Sequence, residues 1–161
     1  MTLAAPAPDN NYQANFIARV VRAFARVTGG DLIAEAGLDP AELGKSAWEG
    51  QFALLTHDRD AILTYGNRFA LDLWEMDWET LVRTPSRQTA PEEDRAARAV
   101  IMAEVERSGF TRSYTGRRVS RSGALFRIEN ATVFTLADEK DTGEEGAGFG
   151  TGAFFKSVTR L

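Results

Sequence analysis

The sequence contains no cysteine, one histidine and only three lysines among its 161 residues. Without cysteine, the chain can form no disulfide, no thiolate metal site and no thiol nucleophile. This composition agrees with a reducing cytoplasm, which we expect to be the location of the protein. No apolar run approaches the ~20 residues of a membrane-spanning helix, so we expect no membrane partner.

A strong charge of one sign is also lacking. The 19 basic and 23 acidic residues give a net charge of −4, which provides no electrostatic attraction toward nucleic acid. A hydrophobic fraction of 43% is that of one globular domain with a sizeable core. Residues 1–9, which have no basic segment and no long apolar run, are predicted to be a flexible leader.

Periodic patterns divide the rest of the chain near residue 50. Residues 10–50 are predicted to be an N-terminal helical segment, with an amphipathic helix near Asn11–Val27. Its apolar stripe comprises Phe16, Ile17, Val20, Val21, Phe24 and Val27. Residues 51–161 read as two strands, short helices, a longer helix and three strands, which favours an α+β domain with an antiparallel sheet.

Two boundaries in this second part come from local signals. Thr89 and Glu92 form a capping-box pattern, which predicts a helix from Ala90 to Ser108. The acidic, glycine-containing stretch Ala137–Gly148 is predicted to be a solvated loop.

The order of motifs from Phe52 to Val82 resembles the opening of a PAS sensor domain, in which two strands lead through a Tyr-x-Asn step into a short helix. Further segments resemble the MEKHLA-type PAS-like domain: Tyr65-Gly66-Asn67-Arg68, Leu73-Trp74-Glu75, Pro85-Ser86-Arg87, Tyr114–Ser120 and Phe126–Phe134. The resemblance extends over nearly the whole chain. It implies a PAS-like antiparallel sheet with a helical middle segment, in which the strand Phe52–His57 pairs with the last strand, Phe149–Val158.

The resemblance also implies a sensory or regulatory module that binds a small molecule, a signalling protein or both, without catalysis. Two alternatives remain open. The first is a pure interaction domain with a filled core, and the second is a small enzyme that uses the same cavity. Because the apolar stripe must be covered by the sheet or by another subunit, we expect a homodimer through the N-terminal helix.

No cofactor is predicted, although an unknown small-molecule ligand is compatible with the sequence. The flavin adduct of LOV-like domains and the chromophore of photoactive-yellow-type domains both need cysteine. In haem-binding PAS domains the ligand histidine usually lies on the long middle helix, and the corresponding segment here has none. His57 is more consistent with a strand-end residue than with a ligand, so no metal site is predicted.

We expect a ligand to lie between the inner sheet face and the helical middle. The candidate ligand-binding residues are Tyr65, Trp74, Met102, Tyr114, Phe126, Ile128, Asn130, Gly150 and Gly152, with Leu54 and Phe69 nearby. Asn130 interrupts the apolar face of Phe126, Ile128 and Phe134, so it either binds a ligand or satisfies a backbone group. Gly150 and Gly152 leave room over one strand for a packed helix or a ligand.

Three polar features have competing interpretations. Asn67 is favoured as a helix cap over a ligand contact. Arg87 follows a rigid turn and either contacts an anion or pins its own loop. The hairpin arginines are favoured as a solvated face over an RNA-binding surface; they are Arg112, Arg117, Arg118, Arg121 and Arg127.

Overall fold

The computed structural model describes residues 2–137 and 149–161, so residues 138–148 of the predicted acidic loop lie outside the described residues. The helices are α1 (Ala14–Thr28), α2 (Leu32–Ala36), α3 (Leu43–Glu49), α4 (Arg68–Trp74), α5 (Trp78–Leu81) and α6 (Arg95–Ser108). The strands are β1 (Ala53–His57), β2 (Leu63–Gly66), β3 (Phe110–Val119), β4 (Leu125–Thr135), β5 (Thr151–Phe155) and β6 (Ser157–Arg160). In these ranges no helix combines the length and the apolar character needed to cross a membrane.

The strands form one antiparallel sheet in the order β2-β1-β5-β4-β3, with β6 also paired to β4. Leu55 of β1 lies opposite Ala153 of β5, so the predicted pairing of the first strand with the last is confirmed. β5 and β6 pair with β4 in one continuous register, since Phe154 lies opposite Thr132 and Ser157 lies opposite Glu129. They are therefore one strand interrupted at Lys156, and it starts and ends two residues later than predicted.

Helices cover both faces of this sheet. On the N-terminal face, α1 and α2 contribute a buried cluster with the strands; its members include Ile17, Val20, Phe24, Leu32, Leu54, Phe134 and Phe154. On the inner face, the helical middle segment packs over a second cluster that includes Leu55, Leu63, Trp74, Phe126, Ile128, Ala131 and Phe155. The α+β, PAS-like arrangement inferred from the sequence is confirmed.

The apolar stripe of α1 is covered by the sheet of its own chain. Ile17, Val20 and Phe24 are fully buried, and the Phe24 ring meets the Phe134 ring edge-on at 5.0 Å. The predicted leader also lies against this cluster, because Trp78 Nε1 donates to the Leu3 carbonyl oxygen at 3.0 Å. Burial of the stripe therefore needs no second copy, and a homodimer through α1 stays a prediction.

The longer middle helix begins at Arg95 instead of Ala90. The Thr89 hydroxyl donates to the Ser86 carbonyl oxygen at 2.6 Å, within a turn of 3-10 helix over Ser86–Thr89. It therefore does not cap the helix, and the predicted capping box is wrong.

Asn67 caps α4 and also joins three separate segments. Its Oδ1 accepts from Ala70 N at 3.2 Å, as an N-cap does, and from Leu54 N at 3.1 Å. Its Nδ2 donates to the carbonyl oxygens of Phe52 at 2.7 Å and Ala47 at 3.1 Å. The side chain is fully buried, so the amide satisfies backbone groups at the end of α3, the start of β1 and the start of α4.

We predict that Asn67→Ala lowers the free energy of unfolding by on the order of 3 kcal/mol, because it leaves several buried backbone groups unpaired. Asp77→Ala is the matched control, since Asp77 only caps the exposed start of α5 through Thr80 N. That variant should lose about 1 kcal/mol. Denaturant unfolding measures both, and equal losses would mean that Asn67 acts as a cap alone.

Candidate functional site

A cavity of about 50 Å³ lies on the inner face, between the sheet, α6 and the turn Ser86–Thr89. Its apolar wall includes Leu55, Trp74, Met102, Ile128 and Phe155, and its polar groups include His57, Ser86, Arg98, Tyr114 and Arg118. One buried water needs about 10–15 Å³ of such space. The cavity therefore accommodates about three to five waters, or a ligand with a similar number of heavy atoms.

Five of the predicted site residues line this cavity: Trp74, Met102, Tyr114, Ile128 and Gly152. Trp74 Nε1 donates to the Thr89 carbonyl oxygen at 3.2 Å, which fixes the indole between α4 and the turn. The Phe126 ring packs edge-on against Trp74 at 5.1 Å. Phe126 thus belongs to the same core but lies outside the cavity wall.

Tyr65 and Leu54 belong to the opposite face of the sheet. Tyr65 is fully buried, stacks on Phe16 at 5.7 Å and meets Trp78 edge-on at 5.8 Å. Its hydroxyl has no hydrogen-bond partner among the described residues, and burial raises its pKa above the usual value. The prediction that Tyr65 contributes to the inner face is wrong. Leu63, two residues earlier on β2, does lie on the inner face, and the pairing of β1 with β2 is irregular opposite the step between these two residues.

The inward placement predicted for Asn130 is also wrong. Asn130 is exposed and has a left-handed backbone with φ 54°, at the point where β4 changes partner from β6 to β5. After it, Ala131 takes the inner face that Asn130 would have in a regular strand. Phe134 consequently lies on the N-terminal face and not beside Phe126.

A side chain on either Gly150 or Gly152 would meet neighbouring atoms, although Gly152 also borders the cavity. A Cβ on Gly152 would come within 2.7 Å of the Phe134 ring, which itself packs against Phe24. Gly150 has φ 137°, and a Cβ there would overlap the His57 carbonyl oxygen. The space over Gly152 is therefore taken by the Phe134 ring and, beyond it, by Phe24 of α1. This agrees with the interpretation that the glycines leave room for a packed helix.

Arg118 lies at the cavity with only 5% of its surface exposed, so its prediction as part of a solvated face is wrong. Tyr114 and Arg118 line the same cavity, as their spacing along one strand face predicts. Arg112 lies on the opposite face, over the Phe24 ring, beyond an irregularity in the pairing of β3 with β4. Arg118 Nη1 donates to the Arg117 carbonyl oxygen at 2.7 Å. Its guanidinium also lies over the Tyr114 ring, 5.1 Å from the centroid.

Arg98 is the cavity residue that the sequence analysis missed. It is one turn before Met102 on α6, and this helical spacing was the signal that could have identified it. Its Nη2 donates to Ser86 Oγ at 3.1 Å, whereas its buried Nε has no hydrogen-bond partner among the described residues. Burial, followed by the positive charge of Arg118, lowers the pKa of Arg98 to about 10.

Arg87, the predicted anion contact, is exposed and lies outside the cavity wall. Its loop is held by Arg95, whose Nε donates to the carbonyl oxygens of Arg87 and Ala90, both at 3.2 Å. From the motif Pro85-Ser86-Arg87, Ser86 is the residue that reaches the cavity. The positive charge there comes from Arg98 and Arg118.

His57 ends β1 at the cavity, half-buried, with Nδ1 2.9 Å from the Asp58 carbonyl oxygen. Burial lowers its pKa below the ordinary value of 6.5; Arg98 also lowers it, while the Asp58 backbone bond and the charges of Asp58 and Glu106 raise it. Within residues 2–137 and 149–161, no group of three or more His, Asp or Glu side chains could hold a metal ion.

We predict that the free energy of unfolding decreases as pH falls from about 7.5 to 5.5, because the unfolded chain binds a proton on His57 that the folded chain resists. His57→Asn removes the only histidine and should flatten the profile in this window. Hydrogen bonds to Ser120 and Ser122 lower the pKa of Glu75 to about 2. In the folded protein this carboxylate therefore titrates well below the pH window of His57. Denaturant unfolding at several pH values measures the slope, and identical profiles would contradict this assignment.

The family model described as the MEKHLA domain matches residues 14–159. No curated protein matches the sequence.

Solved structures that resemble this fold include PAS domains. A PAS domain of a Colwellia psychrerythraea protein superposes with a TM-score of 0.59 at 15% identity, over 73% of this chain and 92% of that one. A PAS domain of a two-component sensor histidine kinase gives 0.54 at 17% identity, over 71% and 88%. A PAS domain in complex with ethanol, from a LuxR-family transcriptional regulator of Burkholderia thailandensis, gives 0.53 at 14% identity, over 73% and 96%. At such identities the likeness shows the PAS fold alone.

Proposed function

This chain belongs to the MEKHLA domain family, and we propose that it is a sensory or regulatory module that binds a small molecule in the cavity of the inner face. The observation that supports this function is the difference between the two sheet faces. On the N-terminal face, aromatic rings fill the space over Gly152. On the inner face, free space of about 50 Å³ remains between the sheet and α6.

The size of this space favours a compact ligand with few heavy atoms. The similar PAS domain from Burkholderia thailandensis is in complex with ethanol, a molecule of that size. A cavity with an apolar wall and a few polar groups is typical of small-molecule sites. The pure interaction domain, which requires a filled core, is less compatible with this free space.

The polar groups of the cavity favour binding over catalysis. Nucleophilic catalysis needs a hydroxyl or similar group in contact with a base. Ser86 Oγ accepts from Arg98, and the Thr89 hydroxyl donates to the Ser86 carbonyl oxygen. Among the described lining residues, therefore, neither of these hydroxyls is paired with a base, and we propose no reaction.

Filling the cavity tests this function. Ala153→Leu extends a half-buried wall residue into the free space, so we expect a stability change within about 1 kcal/mol. Ala131→Leu adds the same atoms at a fully buried position on the same face, outside the cavity wall. It should lose about 1–3 kcal/mol through overpacking.

Denaturant unfolding of both variants, together with native mass spectrometry of the purified proteins, provides the measurement. We expect a small molecule to be carried by the wild type and to be absent from Ala153→Leu. Equal destabilisation by the two leucines would show that the cavity is not usable space and would contradict the proposed function.

A further inference from the structure

We propose that the ligand of this cavity is a small organic carboxylate, with its carboxylate bound by Arg98 and Arg118 and its short carbon chain against the apolar wall. This inference rests on the proposed function, since it specifies the chemistry of the molecule that the cavity accepts.

Positive charge is buried at the cavity. Arg118 is 5% exposed, and its contacts are the Arg117 carbonyl oxygen and the Tyr114 ring. Arg98 donates to the Ser86 hydroxyl and has a buried Nε without a partner among the described residues. Buried charges normally have a partner of opposite charge, because neutral partners only partly offset the loss of hydration. Among the described residues, neither guanidinium group has a carboxylate within ion-pair distance, although Arg118 also acts at longer range on Asp94, whose pKa it helps to lower.

The acids nearest the cavity are bound elsewhere. Asp94 binds Arg117 through two hydrogen bonds of 2.8 and 2.9 Å. The Asp58 carboxylate accepts from the backbone amides of Asp60 and Ile62 at 2.9 and 3.1 Å. Across residues 2–137 and 149–161, no carboxylate forms an ion pair with Arg98 or Arg118. The counter-charge for this pair of arginines is therefore assigned to a bound molecule.

The shape and the apolar wall of the cavity favour a carboxylate over a tetrahedral anion. A guanidinium matches a planar carboxylate through two parallel hydrogen bonds. Most of the remaining wall is apolar, including Trp74, Ile128 and Phe155. Phosphate or sulfate would place oxygens against this wall, whereas a carboxylate with one or two carbons beyond it presents CH groups there. The free space limits the ligand to about the size of acetate or propionate.

The test uses the intact chain with sodium propionate as the probe, and with propionamide and sodium phosphate as comparators. Isothermal titration calorimetry should detect propionate binding to the wild type, with binding of propionamide and phosphate at least about tenfold weaker, because each lacks either the charge or the apolar part. This comparison needs no variant and does not depend on any substitution being tolerated.

Variants then locate the binding site. Arg98→Met and Arg118→Met should each weaken propionate binding at least about tenfold. Arg87→Met removes an equal charge from an exposed arginine outside the cavity, and it should bind as the wild type does.

Each contrary result has one meaning. Equal binding of propionate and propionamide, or tighter binding of phosphate, overturns the carboxylate inference, as does propionate binding that survives both cavity substitutions. Failure of propionate to bind at millimolar concentration overturns it as well. The proposed function fails separately, when Ala153→Leu destabilises the protein as much as Ala131→Leu does.

Discussion

The buried amide of Asn67 is the interaction on which the arrangement of the two helical layers depends. Its four hydrogen bonds join the end of α3, the start of β1 and the first turn of α4. The layer of α3 covers the N-terminal face, and α4 covers the inner face. Because one fully buried side chain satisfies backbone groups from both layers and from the strand between them, it sets how both layers sit on the sheet.

The two faces that this arrangement creates differ in packing and in charge. The N-terminal face is closed by aromatic contacts, such as Phe24 against Phe134. The inner face retains free space beside two guanidinium groups, with Trp74 fixed at its wall by the Thr89 carbonyl oxygen. A single sheet thus has a closely packed face on one side and, on the other, the free space that we propose as a site for a ligand. The difference gives a physical basis for a sensing function in a domain of PAS fold.

Much of the fold could be predicted from the sequence, and part of the site could not. The stripe of α1 and the cap at Asn67 depend on local spacing, and the structure has them as predicted. Asn130 was misplaced because strict alternation was assumed along β4. Arg118 was assigned to a solvated face because arginine is usually exposed, although it shares a strand face with Tyr114 and both line the cavity. One unusual backbone conformation at Asn130 exchanges the faces of every residue that follows it in β4.

The sequence by itself therefore determined the family, the order of helices and strands, and the apolar residues that must be buried. These features follow from spacing within short segments and from motifs along the chain. Only the tertiary structure decided which polar side chains meet at the cavity. Arg98 and Arg118 come from a helix and a strand that follow each other in the chain, and only the packing of α6 over the sheet brings their side chains to one cavity.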